Sequence, residues 1–284
     1  MKKTLLPITF ALAALASLWH CQSKKTPPAA ASPTLPTDLT AMVRMTHKEA
    51  TDTLRADTTQ PMVPIKKTKL SAAEAQAALA SIDLKQAMLA EWPDNGFYGA
   101  DRYRIEFIFT SIERRVNDPS VYAVTGKNKY KKTISDYAGV MEIKEVYAFS
   151  DPNLRADEIA DLGYEKMYAL VGEFRFHEDS TLKTSGLFSG KFQVDVGKMK
   201  DGGTQLWFFS PDSPAEGSGY RFDGNWTSYR NAQLNKPVIW SRDLFRFAND
   251  ILQEFSYGER DIEINPKYRH LGWDTFWEGD EWWN

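Results

Sequence analysis

Phe188-Ser189-Gly190-Lys191-Phe192 sets a glycine between two large aromatics at a spacing of two. Residues two apart share one face of a strand, so the glycine leaves a gap in a row of rings. Such a gap admits a neighbouring backbone or a sharp bend, as at the corner of a barrel. The same pattern recurs at Tyr137-Ala138-Gly139-Val140-Met141 and at Phe222-Asp223-Gly224-Asn225-Trp226. The segments ahead of the first two copies also align, Val121-Tyr122-Ala123-Val124-Thr125-Gly126 with Met167-Tyr168-Ala169-Leu170-Val171-Gly172. The chain therefore repeats a hairpin made of a strand, a polar turn and a glycine-kinked strand. That organisation predicts an antiparallel meander that forms a barrel or a sandwich.

The surrounding sequence keeps the same period. Tyr103, Ile105, Phe107 and Phe109 fall on one face, whereas 140–146 and 170–176 alternate less cleanly. Polar clusters at 127–133, 177–185 and 198–203 read as turns between strands. Helix signals are few. Ser71-Ala72-Ala73-Glu74 has the form of a capping box, and the run behind it is dense in helix formers as far as about Ala90, before Trp92-Pro93. Asp151-Pro152 opens a short helical pattern. Another is predicted over 242–255, with Phe245, Ala248, Ile251, Leu252 and Phe255 on one side. The expected fold is mainly β with minor α: an antiparallel meander barrel or sandwich, an N-terminal helix and one or two short helices.

The N-terminus sets the expected address. Lys2 and Lys3 precede an apolar run from Leu5 to about Leu18, which has signal-peptide length and is too short to span a bilayer. Cys21 is the single cysteine of the 284 residues, which excludes an internal disulfide and every paired-cysteine metal or redox motif. Residues 22–70 are rich in Pro, Ala, Thr and Ser and predict a disordered tether. Three parts are expected: a signal peptide at 1–21, this tether at 22–70, and a single globular β-rich domain at 71–284. Loss of Lys2 and Lys3 with the leader takes the formal net charge from −3 to −5. A chain so charged, with no basic stripe, argues against nucleic acid as a partner.

Leu18-Trp19-His20-Cys21 resembles a bacterial lipobox, with a leucine three residues before a cysteine, although His20 stands where that motif has a small residue. The resemblance implies lipidation at Cys21 and a membrane anchor. Gln22 after the cysteine implies, by the same resemblance, transit to the outer membrane and a periplasmic face. Gly224-Asn225-Trp226 is similar to the Gly-x-Trp of avidin-like and lipocalin-like barrels. The stretches SGLFSGKF (185–192), GYRFDGNWTSYR (219–230) and NPKYRHLGW (265–273) resemble a group of uncharacterised envelope lipoproteins of Bacteroidota-type genomes. That resemblance implies architecture and address, and no activity.

Reaction motifs fail on inspection. Gly186 to Phe192 is one residue short of a P-loop and carries Phe192 where a hydroxyl must meet Mg²⁺. Ser189 and Ser218 stand outside a GxSxG frame. No metal site is expected: His47, His177 and His270 are scattered, and His177-Glu178-Asp179 reads as a solvated turn. No cofactor is implied. Glu259, Asp261 and Glu263 alternate along one predicted strand face, the one arrangement that could supply a carboxylate pair for glycoside hydrolysis. Trp273, Trp277, Trp282 and Trp283 crowd the C-terminus. They are candidates for stacking on sugar rings, though the expectation is that the tail folds back, closes the barrel and buries its indoles. The expected function is a non-catalytic binding or support role in the envelope, with a glycan or an envelope protein as partner. Two alternatives stand beside it: a glycan-binding module or glycosidase, and an inhibitor or immunity-type lipoprotein that acts on a protein.

Overall fold

A computed structural model describes residues 64–150, 159, 161–208, 210–246, 263–278 and 281–284. The expected leader with Cys21 and nearly all of the expected tether lie outside the described residues, as does most of the helix expected after Asp151. Of the helix expected over 242–255, only a single turn at Leu244–Arg246 is described.

Ordered structure begins earlier than Ser71. Strand β1 (Lys66–Lys69) pairs antiparallel with β5 (Thr133–Ser150), from Lys66 against Ser150 to Lys69 against Tyr147. Its four residues are all exposed. They join through the backbone, so no apolar period marks them. The last residues of the expected tether, Lys66–Lys69, are therefore part of the sheet.

The N-terminal helix is two helices. Helix α1 (Ala72–Ser81) starts with the expected capping box, in which Ser71 and Glu74 satisfy each other's backbone amides. It stops at Ile82, which is extended. Asp83 then caps α2 (Leu84–Met88) by accepting from the amides of Lys85 (3.0 Å) and Gln86 (3.3 Å). Ile82, Leu84 and Met88 are fully buried. One straight helix to Ala90 would not turn all three inward; the break does.

Among the described residues eight strands make the body: β2 (Asp94–Tyr98), β3 (Tyr103–Arg115), β4 (Asp118–Tyr130), β5, β6 (Tyr164–Glu178), β7 (Gly186–Met199), β9 (Tyr220–Ser228) and β10 (Asn235–Ser241). The short β8 (Thr204–Leu206) joins β7 alone. Each of the eight pairs antiparallel with the next, and β10 returns to pair with β2. The ladders thus close a circuit in a barrel-like meander. Bulges after Phe109 and Ile143 shift the alternation by one residue. Tyr137, Met141 and Ile143 are buried before the second bulge and Val146 after it, which is why 140–146 alternates poorly.

The repeated glycines sit where backbones close in. Gly190 is paired with Gly224 across β7 and β9. A Cβ built on Gly224 would fall on the Ser189 carbonyl, and one on Gly190 would fall on that of Asp223. Within the ring the aromatics fill the middle. Trp240 stacks between Phe107 (4.1 Å) and Phe222 (4.5 Å), and all three are fully buried.

This aromatic layer divides the interior. Toward one end, α1 and α2 deliver Ile82, Leu84 and Met88 into the same core. The other end is bounded by the β2–β3, β4–β5, β6–β7 and β9–β10 connections. Two smaller apolar clusters lie outside the wall. One gathers Phe149, Tyr164, Met167, Ala169 and Trp207; the other gathers Phe97, Leu244, Ile264, Tyr268 and Trp273.

Candidate functional site

At the end opposite the helices the ring opens into a cavity of about 260 Å³. Tyr98 of β2, Tyr130 of β4, Phe188 of β7 and Trp226 of β9 form its aromatic walls, with Ile105 behind them. The spacing that produced the fold also positions these rings: Trp226 is the last large residue of the Phe222-x-Gly-x-Trp226 repeat, and Phe188 is the first of its own. Tyr98 and Tyr130 lie 4.6 Å apart at their centroids, and Tyr98 meets Trp226 edge-on at 6.0 Å. Burial holds the Tyr98 hydroxyl well above the usual phenol range, with Tyr130 and Glu178 adding to the effect.

Glu178 forms the polar part of the floor. It is 7% exposed. Its Oε1 accepts from Asn128 Nδ2 at 3.0 Å, and its Oε2 accepts from the Gly186 amide at 2.9 Å and Trp226 Nε1 at 2.8 Å. Three N–H donors therefore satisfy a buried carboxylate, the condition under which such burial is tolerated. The expectation of a solvated turn at His177-Glu178-Asp179 is corrected here. Strand β6 runs through Glu178, two residues beyond Phe176 and on the same inward face. His177 points outward, 3.0 Å from the Tyr229 hydroxyl. Only Asp179 belongs to the turn, where the amide and hydroxyl of Thr181 hold its carboxyl below the usual range.

Two lysines stand at the rim. Lys236 Nζ lies 5.0 Å from the Tyr98 ring centroid and 5.9 Å from that of Tyr130. Lys131 Nζ lies 4.6 Å from Tyr103 and 5.3 Å from Tyr130. Among the described residues neither ammonium is paired with a carboxylate. Lys131 also has φ = 58°, a left-handed conformation that costs a non-glycine residue about 1 kcal/mol. Thr133, Ser135, Thr184 and Leu234 complete the described lining.

A wider cleft of about 570 Å³ lies on the outside, between the tail and the β3–β4 surface. Its central charges engage each other: Arg104 contacts Glu106 at 2.9 Å and Asn95 at 2.7 Å, and Glu106 also accepts from Trp282 Nε1 at 3.3 Å, while Lys131 lines this cleft as well as the mouth. The mouth cavity, with aromatic walls and two cations at its rim that have no carboxylate partner among the described residues, is the stronger site.

Of the residues singled out in the sequence, Glu263, Trp273, Trp277, Trp282 and Trp283 are not part of the mouth lining. Glu259 and Asp261 are outside the described residues, and Glu263 is exposed next to Ile264. The tail does not close the ring. It folds over the outer wall, where Trp273 is fully buried against Phe97 (5.2 Å) and donates to the Arg102 carbonyl at 2.9 Å. Gly272, at φ = 86°, breaks the helical path just before it. Trp277 is 64% exposed, whereas Trp282 and Trp283 are half-buried, Trp283 edge-on to Trp92 at 5.9 Å. The four indoles therefore do not form one platform.

Two more acids are enclosed near the helix-plugged end. Asp94 meets Arg242 at 3.2 Å and the Tyr220 hydroxyl, and burial pushes it up to about 6 against the pull of both. Asp195 is fully buried beneath the 207–219 loop. Burial pushes it up to about 7, although the Ser213 hydroxyl and Ala215 amide both donate to it. Neither carboxyl reaches the mouth cavity. Among the described residues no group of three or more His, Cys, Asp or Glu side chains is placed to hold a metal ion, and no helix is long and apolar enough to cross a membrane.

An antiparallel ring plugged by helices at one end, with an aromatic cavity at the other, defines a mainly β, barrel-like protein built around a small mouth site. The chain matches no known family, no curated protein and no solved structure.

Proposed function

We propose that this is a non-catalytic binding protein of the bacterial envelope that receives a small ligand in the open mouth of its ring. The observation that carries the proposal is the cavity of about 260 Å³ walled by Tyr98, Tyr130, Phe188 and Trp226. Ligand sites are concave, mostly apolar and furnished with a few placed polar groups, which describes this mouth. Binding is favoured over turnover because both oxygens of Glu178, the one acid among the described lining residues, are engaged by N–H donors. A glycan platform draws support from the exposure of Trp277 alone, and Trp273 is unavailable to it.

The proposed address rests on Leu18 to Cys21. Two acyl chains on Cys21 would hold the protein on a membrane, since each buried CH₂ contributes about 0.8 kcal/mol. Intact-mass analysis of the membrane fraction is expected to show a diacylglycerol adduct that is lost in Cys21→Ser, with that variant released to the aqueous fraction. An unmodified wild-type thiol removes the address.

Ser135 lines the cavity on the same inward row as Tyr137, so Ser135→Phe should fill it. The Trp226 Nε1–H resonance is the local reporter. Eight-carbon ligands are expected to shift it in the full chain and to leave it unmoved in Ser135→Phe at an unchanged melting temperature. Equal shifts in both proteins place binding somewhere other than the mouth.

A further inference from the structure

We infer that the mouth selects a monoanionic amphiphile of roughly ten non-hydrogen atoms, whose apolar body lies inward and whose acidic head sits between Lys131 and Lys236. This rests on the small-ligand proposal above and adds the chemistry of the ligand. Size comes from volume. A dry cavity of roughly 150 Å³ accepts benzene, with its six carbons, and in proportion about 260 Å³ holds roughly ten heavy atoms. That is a medium-chain or small aromatic acid, and it is well below a membrane phospholipid.

Sign and direction come from charge. Lys131 and Lys236 bring two ammonium groups to the rim, with no carboxylate paired to either among the described residues. Glu178 places one negative charge at the floor, buried and hydrogen-bonded. An anionic head is repelled from the floor and drawn to the rim, so the ligand enters tail first. A cationic ligand meets the opposite field. The aromatic faces that would attract it are already covered: Lys236 lies over Tyr98 and Tyr130, and Lys131 over Tyr103 and Tyr130. The backbone supports the same assignment. Lys131 holds a left-handed turn position at which glycine would be unstrained, and the turn sets its ammonium above the Tyr130 ring.

The test compares octanoate, 1-octanol and octylammonium, each below its aggregation threshold, with the full chain at pH 7.5. Affinity is read from the Trp226 indole shift and by calorimetry. Octanoate is expected to bind about tenfold more tightly than 1-octanol, and octylammonium more weakly than either. High salt should narrow the first gap, because charges at a rim are screened. In the double variant Lys131→Gly/Lys236→Gln, the tenfold preference for octanoate over 1-octanol is expected to vanish; a preference that persists overturns the charge assignment. Lys131 is exposed and Lys236 half-buried at the rim, and glycine suits the backbone at 131, so the variant should fold. Octanol matching octanoate in the wild type, or octylammonium exceeding it, overturns the charge assignment and leaves the mouth as a binding site. If none of the three ligands moves Trp226, both the assignment and the binding proposal fall.

Discussion

Gly224 shows how far a single missing side chain reaches. Its Cα faces Gly190 across the β7–β9 ladder, and neither position has room for a methyl group. Gly224→Ala must push the Ser189 carbonyl away and open the ladder that carries both Phe222 and Trp226. Overpacking of this kind costs about 1–3 kcal/mol and sometimes more. Urea unfolding should therefore show a lower midpoint for Gly224→Ala, and a wild-type midpoint would mean the strands are not so close. These glycines are legible because a period of two places them between aromatics on one face. Glu178 is equally available, since it follows Phe174 and Phe176 at the same spacing. It escapes notice because the polar run 177–185 points to a turn and hides the last inward residue of β6. Lys131 and Lys236 carry no such signal. They meet only because the β4–β5 hairpin and β10 end at the same rim.

At the scale of elements, legibility follows burial. The long strands alternate and are readable. Strand β1 has four exposed residues and pairs through its backbone, so no hydrophobic pattern announces it. Its three lysines also suit an edge, where charge discourages pairing with another chain. The capping box at Ser71 marks the start of α1. The break at Ile82-Asp83 is hidden, because propensity continues through it and only the need to bury Ile82, Leu84 and Met88 together forces the turn. Burial is the expectation for the tail, and Trp273 is buried. Its position on the outer wall depends on Phe97 and Ile239, which face outward from β2 and β10. Those two residues read as ordinary strand apolars until the register is known.

For the whole molecule, the enclosed acids set the response to pH. Asp94 and Asp195 rise from the usual value of 3.8 to about 6 and about 7. Between those limits the folded chain holds protons that the unfolded chain has released. Their contribution to stability is therefore fully present below about pH 4, and it is lost as pH rises through 6 and 7. A tenfold difference in proton affinity between folded and unfolded chain is worth about 1.4 kcal/mol, so the two acids together oppose folding at pH 8 by several kcal/mol. Unfolding free energy attributable to them should fall between about pH 4 and 7. Asp195→Asn should flatten that slope and raise stability at pH 8 with little change below pH 4, whereas an unaltered profile would remove Asp195 as a source. The pairing of β2 with β10 has a different consequence, one of timing. A chain emerging from its amino end has made seven of the eight wall strands before residue 235 appears, yet two sheet edges remain unpaired and Phe107 and Phe222 lack the indole that separates them. Final assembly has to wait for almost the last stretch to be delivered, so a product truncated before Trp240 would offer both raw edges to its neighbours and clump.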